Sequence, residues 1–251
     1  MIDLHTHILP GIDDGARTLD DALEMARALV ADGVTTVAAT PHVRGDYPTS
    51  ADVMLRAVDE LRGALEEAGI PLTLLPGAEL AVDRIPRLGE HELRRLTLAG
   101  SGQYLLVETP YYGWPPELAE QLLELRMAGF TPVLAHPERN AHVQRAPSLL
   151  APFVQGGALI QVTAASVDGR LGAASRQTAF HLIEAGLAHM LASDAHTPDI
   201  RAAGMRSAAD ALEDPALADW LATDVPRALV DGRSLPERPK FGQSRTSSSS
   251  P

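Results

Sequence analysis

Met1-Ile-Asp-Leu-His-Thr-His-Ile-Leu-Pro-Gly-Ile-Asp-Asp-Gly15 opens the chain, and its first seven residues carry the reading of the fold. Side chains alternate across an extended strand, so His5 and His7 aim their imidazoles the same way while Ile2 and Leu4 face the opposite, apolar side. Two neutral imidazoles presented to one point suit a divalent cation. A pair of histidines is not yet a site, so the argument turns on where further ligands stand.

Short apolar runs recur along the chain at residues 1–4, 34–39, 72–75, 104–107, 133–135, 159–162 and 188–192. They predict seven strands. Each of the first six is followed by a stretch long enough for a helix, and residues 200–221 are helical in pattern. Parallel strands linked by crossovers are therefore expected. Residues 19–30 illustrate the pattern: Leu19, Ala22, Leu23, Ala26, Leu29 and Val30 fall on one face, Thr18 is the expected N-cap, Asp21 occupies the third helical place, and Gly33 stops the helix.

The metal-capable side chains all follow their strands: His5 and His7 the first, His42 the second, Glu79 the third, Glu108 the fourth, His136 the fifth, Asp194 and His196 the seventh. In a closed parallel barrel the C-terminal strand ends share one rim, so residues nearly 200 positions apart would meet there. Taken singly, Glu79 and Glu108 also read as helix caps, and His136 before Pro137 as a turn residue. Their coincidence at strand ends favours metals. His91, His142, His181 and His189 lie elsewhere and read as ordinary surface or core residues.

At 251 residues, 45% of them apolar, the chain suits one domain over residues 1–236. Residues 237–251, with a run of serines at 247–250, lack apolar periodicity and are expected to be a disordered tail. No charged leader with an apolar core and no run of about eighteen apolar residues is present, so a cytoplasmic protein without membrane insertion is expected. The net charge of −12 argues against nucleic acid as a partner. Bound cations would still make a locally positive site for an anion. Arg139 and Arg201, both near strand ends, would clamp phosphate oxygens or form structural ion pairs with nearby carboxylates.

The runs of residues 3–15, Ala39-Thr-Pro-His42, Pro76-Gly-Ala-Glu79, Ala135-His-Pro-Glu-Arg139 and Ser193-Asp-Ala-His196 resemble the PHP (polymerase and histidinol phosphatase) superfamily. More narrowly they resemble its bacterial protein tyrosine phosphatases from capsule and exopolysaccharide loci, and the run Gln161-Val-Thr-Ala-Ala-Ser-Val-Asp-Gly169 is similar to that branch as well. The likeness extends from Met1 to about Arg201. It implies a distorted (β/α)7 TIM-like barrel carrying two or three metal ions, usually manganese, although the mixed nitrogen and oxygen ligands also fit iron or zinc.

By the same resemblance His5, His7, Glu79 and Asp194 surround one ion, Glu79 bridges to a second held by Glu108 and His136, and His42 and His196 hold a third. Asp14 stands beside that third ion as a catalytic or ligand residue, with Arg139 and Arg201 as phosphate holders. Asp13 is its rival, because sequence does not decide which of the two faces inward, and both would also serve to cap the helix near Thr18. Two positions depart from many relatives: Val43 stands where a second histidine is common, and Thr197 where an asparagine is.

The implied activity is metal-dependent hydrolysis of phosphotyrosine in a protein substrate, namely the tail of a bacterial tyrosine kinase that controls polysaccharide export. The chain has no cysteine, which rules out a thiolate nucleophile and thiolate metal ligands. The loop of residues 109–116 concentrates Tyr111, Tyr112 and Trp114, which would stack on a tyrosine ring or grip a peptide, or else pack beneath the loop or form a subunit contact. The alternative function is a histidinol phosphate or other small-molecule phosphatase of the same superfamily. A polymerase-associated nuclease is disfavoured by the acidic balance, and a non-enzymatic scaffold would need disabled ligands.

Overall fold

In a computed structural model, residues 1–197 and 203–240 are described. Among them nine strands form parallel ladders: β1 (Ile2–Thr6), β2 (Thr36–Ala39), β3 (His42–Val43), β4 (Thr73–Pro76), β5 (Glu79–Ala81), β6 (Tyr104–Glu108), β7 (Thr131–Ala135), β8 (Leu159–Thr163) and β9 (Met190–Ala192). The ladders make two sheets, ordered β1-β2-β4 and β3-β5-β6-β7-β8-β9. Each apolar run of the sequence contains a strand. The second and third runs continue further than their apolar residues indicate, as β3 and β5.

The breaks have local causes. Between β2 and β3 stands Pro41, which has no N–H for a ladder, and its carbonyl instead accepts from Glu79 N at 3.1 Å. Between β4 and β5 stands Gly77, where a Cβ would come within 3.2 Å of the Thr40 side chain. The chain thus steps from the small sheet to the large one where two strands approach closely. The last strand also reaches the first: Asp194 N donates to His5 O and His7 N to Ala195 O, both at 2.9 Å.

Strands β6, β7 and β8 are buried along their whole length, as strands covered on both faces must be. Helix α1 (Leu19–Ala31) begins as its sequence predicts, with Thr18 Oγ1 accepting from Asp21 N at 3.1 Å. Its buried stripe is Ala22, Met25, Ala26 and Leu29. Leu19, placed on that face by periodicity, is 45% exposed because the stripe is centred one position round, on Met25. Helix α2 (Ala51–Glu67) buries Met54, Val58, Leu61 and Leu65, each contributing about 1.5–3 kcal/mol as apolar area leaves water.

Of the helix expected over 200–221, residues 200–202 lie outside the described residues, and the rest is a series of short pieces, Met205–Ala211, Pro215–Asp219 and Trp220–Asp224, followed by Val225–Val230. Pro215 cannot sit in a helix interior; Asp214 caps the new start, accepting from Leu217 N at 3.2 Å. Of residues 237–251, only the first four are described: the Arg238 guanidinium lies 5.5 Å from the Trp220 ring centre.

Candidate metal centre

Parallel strands bring their C-terminal ends to one side, and the functional side chains sit there. His5 belongs to β1 and His7 follows it. His42 and Glu79 open β3 and β5 and are direct register partners. Glu108 closes β6, His136 follows β7, and Asp194 and His196 follow β9. All eight are buried. His136 and Asp194 take left-handed backbone angles, φ 33° and 52°, a strain of about 1–3 kcal/mol each that the surrounding hydrogen bonds must hold.

Four overlapping groups converge closely enough to hold a cation: His5, His7 and Asp194; His5, Glu79 and His136; His42, Glu79 and Glu108; and His7, Asp14, His42 and His196. Glu79 is the hub. Its Oε2 lies 3.3 Å from Nε2 of both His5 and His7 and 3.0 Å from His42 Nδ1, and its Oε1 is 2.9 Å from His136 Nε2. Asp194 Oδ1 is 3.3 Å from His5 Nε2 and 3.4 Å from His7 Nε2. In this arrangement Glu108 shares a group with His42, and His136 with His5. His91, His142, His181 and His189 join none of the groups found among the described residues.

The donor chemistry fits a cation. His7 Nδ1 donates to Asp13 Oδ2 at 2.7 Å, so in the neutral ring its Nε2 carries the lone pair. That lone pair faces the Nε2 of His5 at 3.2 Å and two carboxylate oxygens. His42 Nδ1 and Glu79 Oε2 are buried with no hydrogen-bond partner. Acceptors facing acceptors in a dry pocket are costly unless a positive charge sits among them.

In the metal-free cluster the imidazoles themselves supply positive charge to the carboxylates. Burial alone would raise the Glu79 pKa, but His5, His136 and His42 outweigh it and hold the carboxyl well below the usual range. Burial likewise opposes, and the surrounding imidazoles produce, the strong lowering at Asp194. Burial depresses His7, yet Asp13 and the cluster carboxylates lift it well above the ordinary value. His42 is raised to about 9 by Asp14 and Glu79 against its desolvation. Glu108 is raised by burial and by Glu79.

Both acidic neighbours after Pro10 face inward, with different tasks. Asp13 accepts from His7 Nδ1, from His42 N at 2.9 Å and from Gly15 N at 2.9 Å. Asp14 lies 3.4 Å from Nε2 of both His42 and His196, and hydrogen bonds to these two rings hold it ionised. Arg139 donates from Nη1 to Asp194 Oδ2 at 2.6 Å, and its guanidinium lies 4.7 Å from the Tyr111 ring centre. Arg201 lies outside the described residues.

Several residues went unmarked in the sequence. Arg44, in the bend just after β3, stands 3.9 Å from both Asp14 and Glu108. Glu138 is fully buried and accepts from Thr163 N at 2.9 Å and Ser166 Oγ at 2.7 Å, anchoring the turn that carries Arg139. Asp3 accepts from Ser193 N at 3.0 Å and His5 N at 3.3 Å, and burial raises its pKa to about 6. The aromatic loop divides: Tyr111 stacks 6.0 Å from His136, Trp114 packs on Phe153 at 5.8 Å, and Tyr112 is 85% exposed. A cavity of about 760 Å³ opens between Arg44, Glu108 and this loop.

Parallel α/β architecture here carries a buried histidine–carboxylate cluster at the strand ends whose donors could hold metal ions. The chain belongs to the capsular polysaccharide synthesis CpsB/CapC family, whose model matches residues 1–223. It is 42% identical over 205 residues to the tyrosine-protein phosphatase YwqE of Bacillus subtilis, covering 80% of this chain and 79% of that protein. One chain from the crystal structures of YwqE from Bacillus subtilis and CpsB from Streptococcus pneumoniae, described as unique metal-dependent tyrosine phosphatases, superposes with a TM-score of 0.83. Its identity is 34%, covering 96% of this chain and 98% of that one. A lactonase from Listeria monocytogenes shares the fold alone, with a TM-score of 0.54 and 12% identity over 93% of this chain and 92% of the lactonase. Among the described residues no helix is long and apolar enough to cross a membrane.

Proposed function

We propose that this chain is a metal-dependent phosphomonoesterase that removes phosphate from protein phosphotyrosine, acting in the cytoplasm on the tail of a bacterial tyrosine kinase in capsule or exopolysaccharide control. The observation that carries the reading is the nest of buried acceptors around Glu79 with Arg139 beside it. Membership of a family whose relatives are named tyrosine phosphatases supports it.

The barrel is part of the same proposal. Treating β2 with β3, and β4 with β5, as two kinked strands leaves seven strand positions, and the β9-to-β1 hydrogen bonds support a distorted (β/α)7 ring of the PHP type. Within it His5, His7, Asp194 and Glu79 would hold one ion, Glu79, Glu108 and His136 a second, and His42 with His196 a third beside Asp14. Manganese is the proposed metal. When bound, such ions acidify water and offset negative charge on phosphate oxygens.

The protein's own groups account for the rest. Arg139 spends one nitrogen on Asp194, leaving other donors of its planar fork for the phosphate oxygens. Asp14, held ionised by the His196 and His42 rings, is a weak base with no proton to donate, which suits it to a ligand or charge-stabilising task. A phenolate leaving group, with a parent pKa of about 10, needs little proton donation. The cavity lined by Arg44, Tyr111 and Trp114 gives an aryl ring a place beside the cluster. Stripped enzyme is resupplied with Mn2+ and phosphate release is compared on phosphotyrosine peptide, phosphoserine peptide and histidinol phosphate. The phosphotyrosine peptide is expected to be preferred; preference for histidinol phosphate would overturn the substrate assignment.

A further inference from the structure

Gln161 is a polar side chain inside a central strand, fully buried in β8. Its Oε1 lies 3.2 Å from the backbone nitrogen of His136 and 3.0 Å from Nδ1 of His5. The backbone N–H can only donate, so the amide atom facing it must be the oxygen. That fixes the amide's orientation. The same oxygen then requires His5 Nδ1 to be the donor, and in the neutral, metal-binding ring the Nε2 of His5 is left with its lone pair on the side of Glu79 and Asp194, each 3.3 Å away.

One oxygen therefore governs two cluster histidines from different strands. It sets which nitrogen of His5 is bare, and it holds the His136 backbone at φ 33°, a conformation a histidine does not adopt freely. Asp13 performs the corresponding service for His7 with a carboxylate.

We propose that Gln161 is a positioning residue of the metal centre: its amide oxygen locks His5 in the Nδ1–H form and His136 in its left-handed turn, so that both rings face the ion. The inference rests on the cluster holding a metal. It predicts that Gln161→Leu, close in volume but without an acceptor, weakens binding, whereas Gln161→Glu, which keeps an oxygen in that place, restores most of it.

Zn2+ and Mn2+ affinities of the stripped full chain are measured by titration calorimetry for the wild type and both variants, with far-ultraviolet circular dichroism reporting folding. Gln161→Leu is expected to bind about 10–100-fold more weakly and Gln161→Glu within about threefold of the wild type. In the zinc-loaded wild type, nitrogen-15 histidine spectra should place a solvent-protected proton on His5 Nδ1. That measurement needs no variant to fold. Unchanged affinity in Gln161→Leu, equal losses in both variants, or a freely exchanging His5 Nδ1 proton would overturn the proposal. A wild type that binds neither ion would overturn the metal reading beneath it as well.

Discussion

His7 Nδ1 donates to Asp13 Oδ2 across 2.7 Å, and the same oxygen accepts from His42 N at 2.9 Å. One carboxylate thus orients a ring on one strand end and the backbone of the next. Asp13→Ala should lower the metal content of purified protein and weaken affinity about 10–100-fold. It should also cost about 1.5–3 kcal/mol of stability in the metal-free chain through the loss of hydrogen bonds to a charged group. Elemental analysis and urea unfolding check the two parts. Full metal occupancy in the variant would assign Asp13 a purely structural task.

Gly15 packs directly against that histidine. A Cβ there would fall 2.0 Å from the His7 carbonyl oxygen, closer than any contact tolerates, and the obstacle is backbone. Gly15→Ala should therefore displace the loop of residues 10–15 and lower stability by at least about 1–3 kcal/mol, with loss of metal binding as His7 loses Asp13. Thermal unfolding of stripped and loaded protein measures both. A variant with the wild-type midpoint in both states would contradict the close approach.

Arg139 poses a choice between positioning and catalysis, since it is ion-paired with Asp194 at 2.6 Å. Arg139→Ala is expected to retain metal and lower kcat on phosphotyrosine peptide about 10²–10³-fold, the usual consequence of removing a donor aimed at developing charge. Steady-state kinetics alongside metal analysis decide the matter. Loss of metal or of folding would identify the pair with Asp194 as its main role.

His189 supplies a pH dependence away from the cluster. Burial, aided by Arg238, pushes its pKa down to about 4, and its Nδ1 accepts from Ile160 N at 3.2 Å, which only the neutral ring allows. The unfolded chain binds the proton more readily, with a value of about 6.5. Its contribution to stability is therefore complete above pH 6.5 and is lost as pH falls toward 4, by up to about 3 kcal/mol. Urea unfolding at pH 7 and pH 4.5 should show this loss in the wild type and a smaller one in His189→Gln. Equal pH slopes would contradict it.

Much of this was legible in the sequence because parallel strands all point one way. An apolar run followed by a histidine or carboxylate, repeated at 42, 79, 108, 136 and 194, needs only a shared strand direction to become a cluster. What stayed hidden was polar chemistry buried inside the runs. Asp3, Gln161 and Glu138 stand within the runs that carry the family resemblance but drew no role of their own, and only their partners 25 to 190 positions away reveal their work. Arg44 escaped because no strand was expected at 42–43. Asp13 and Asp14 are adjacent and chemically alike, so their division of labour depends on loop geometry that periodicity does not carry. The short helices after Met205 reflect Pro215 and Asp214 prevailing over a helical pattern of apolar residues.

The central claim is that side chains from six strand ends gather around cations. Crystals of the chain soaked in Mn2+ and measured at the manganese absorption edge test it directly. The account predicts anomalous peaks within coordination distance of His5, His7, Glu79 and Asp194, with at least one more peak near His136 or His42. A map with no anomalous density among these residues, at a manganese concentration that supports phosphate release, would contradict it.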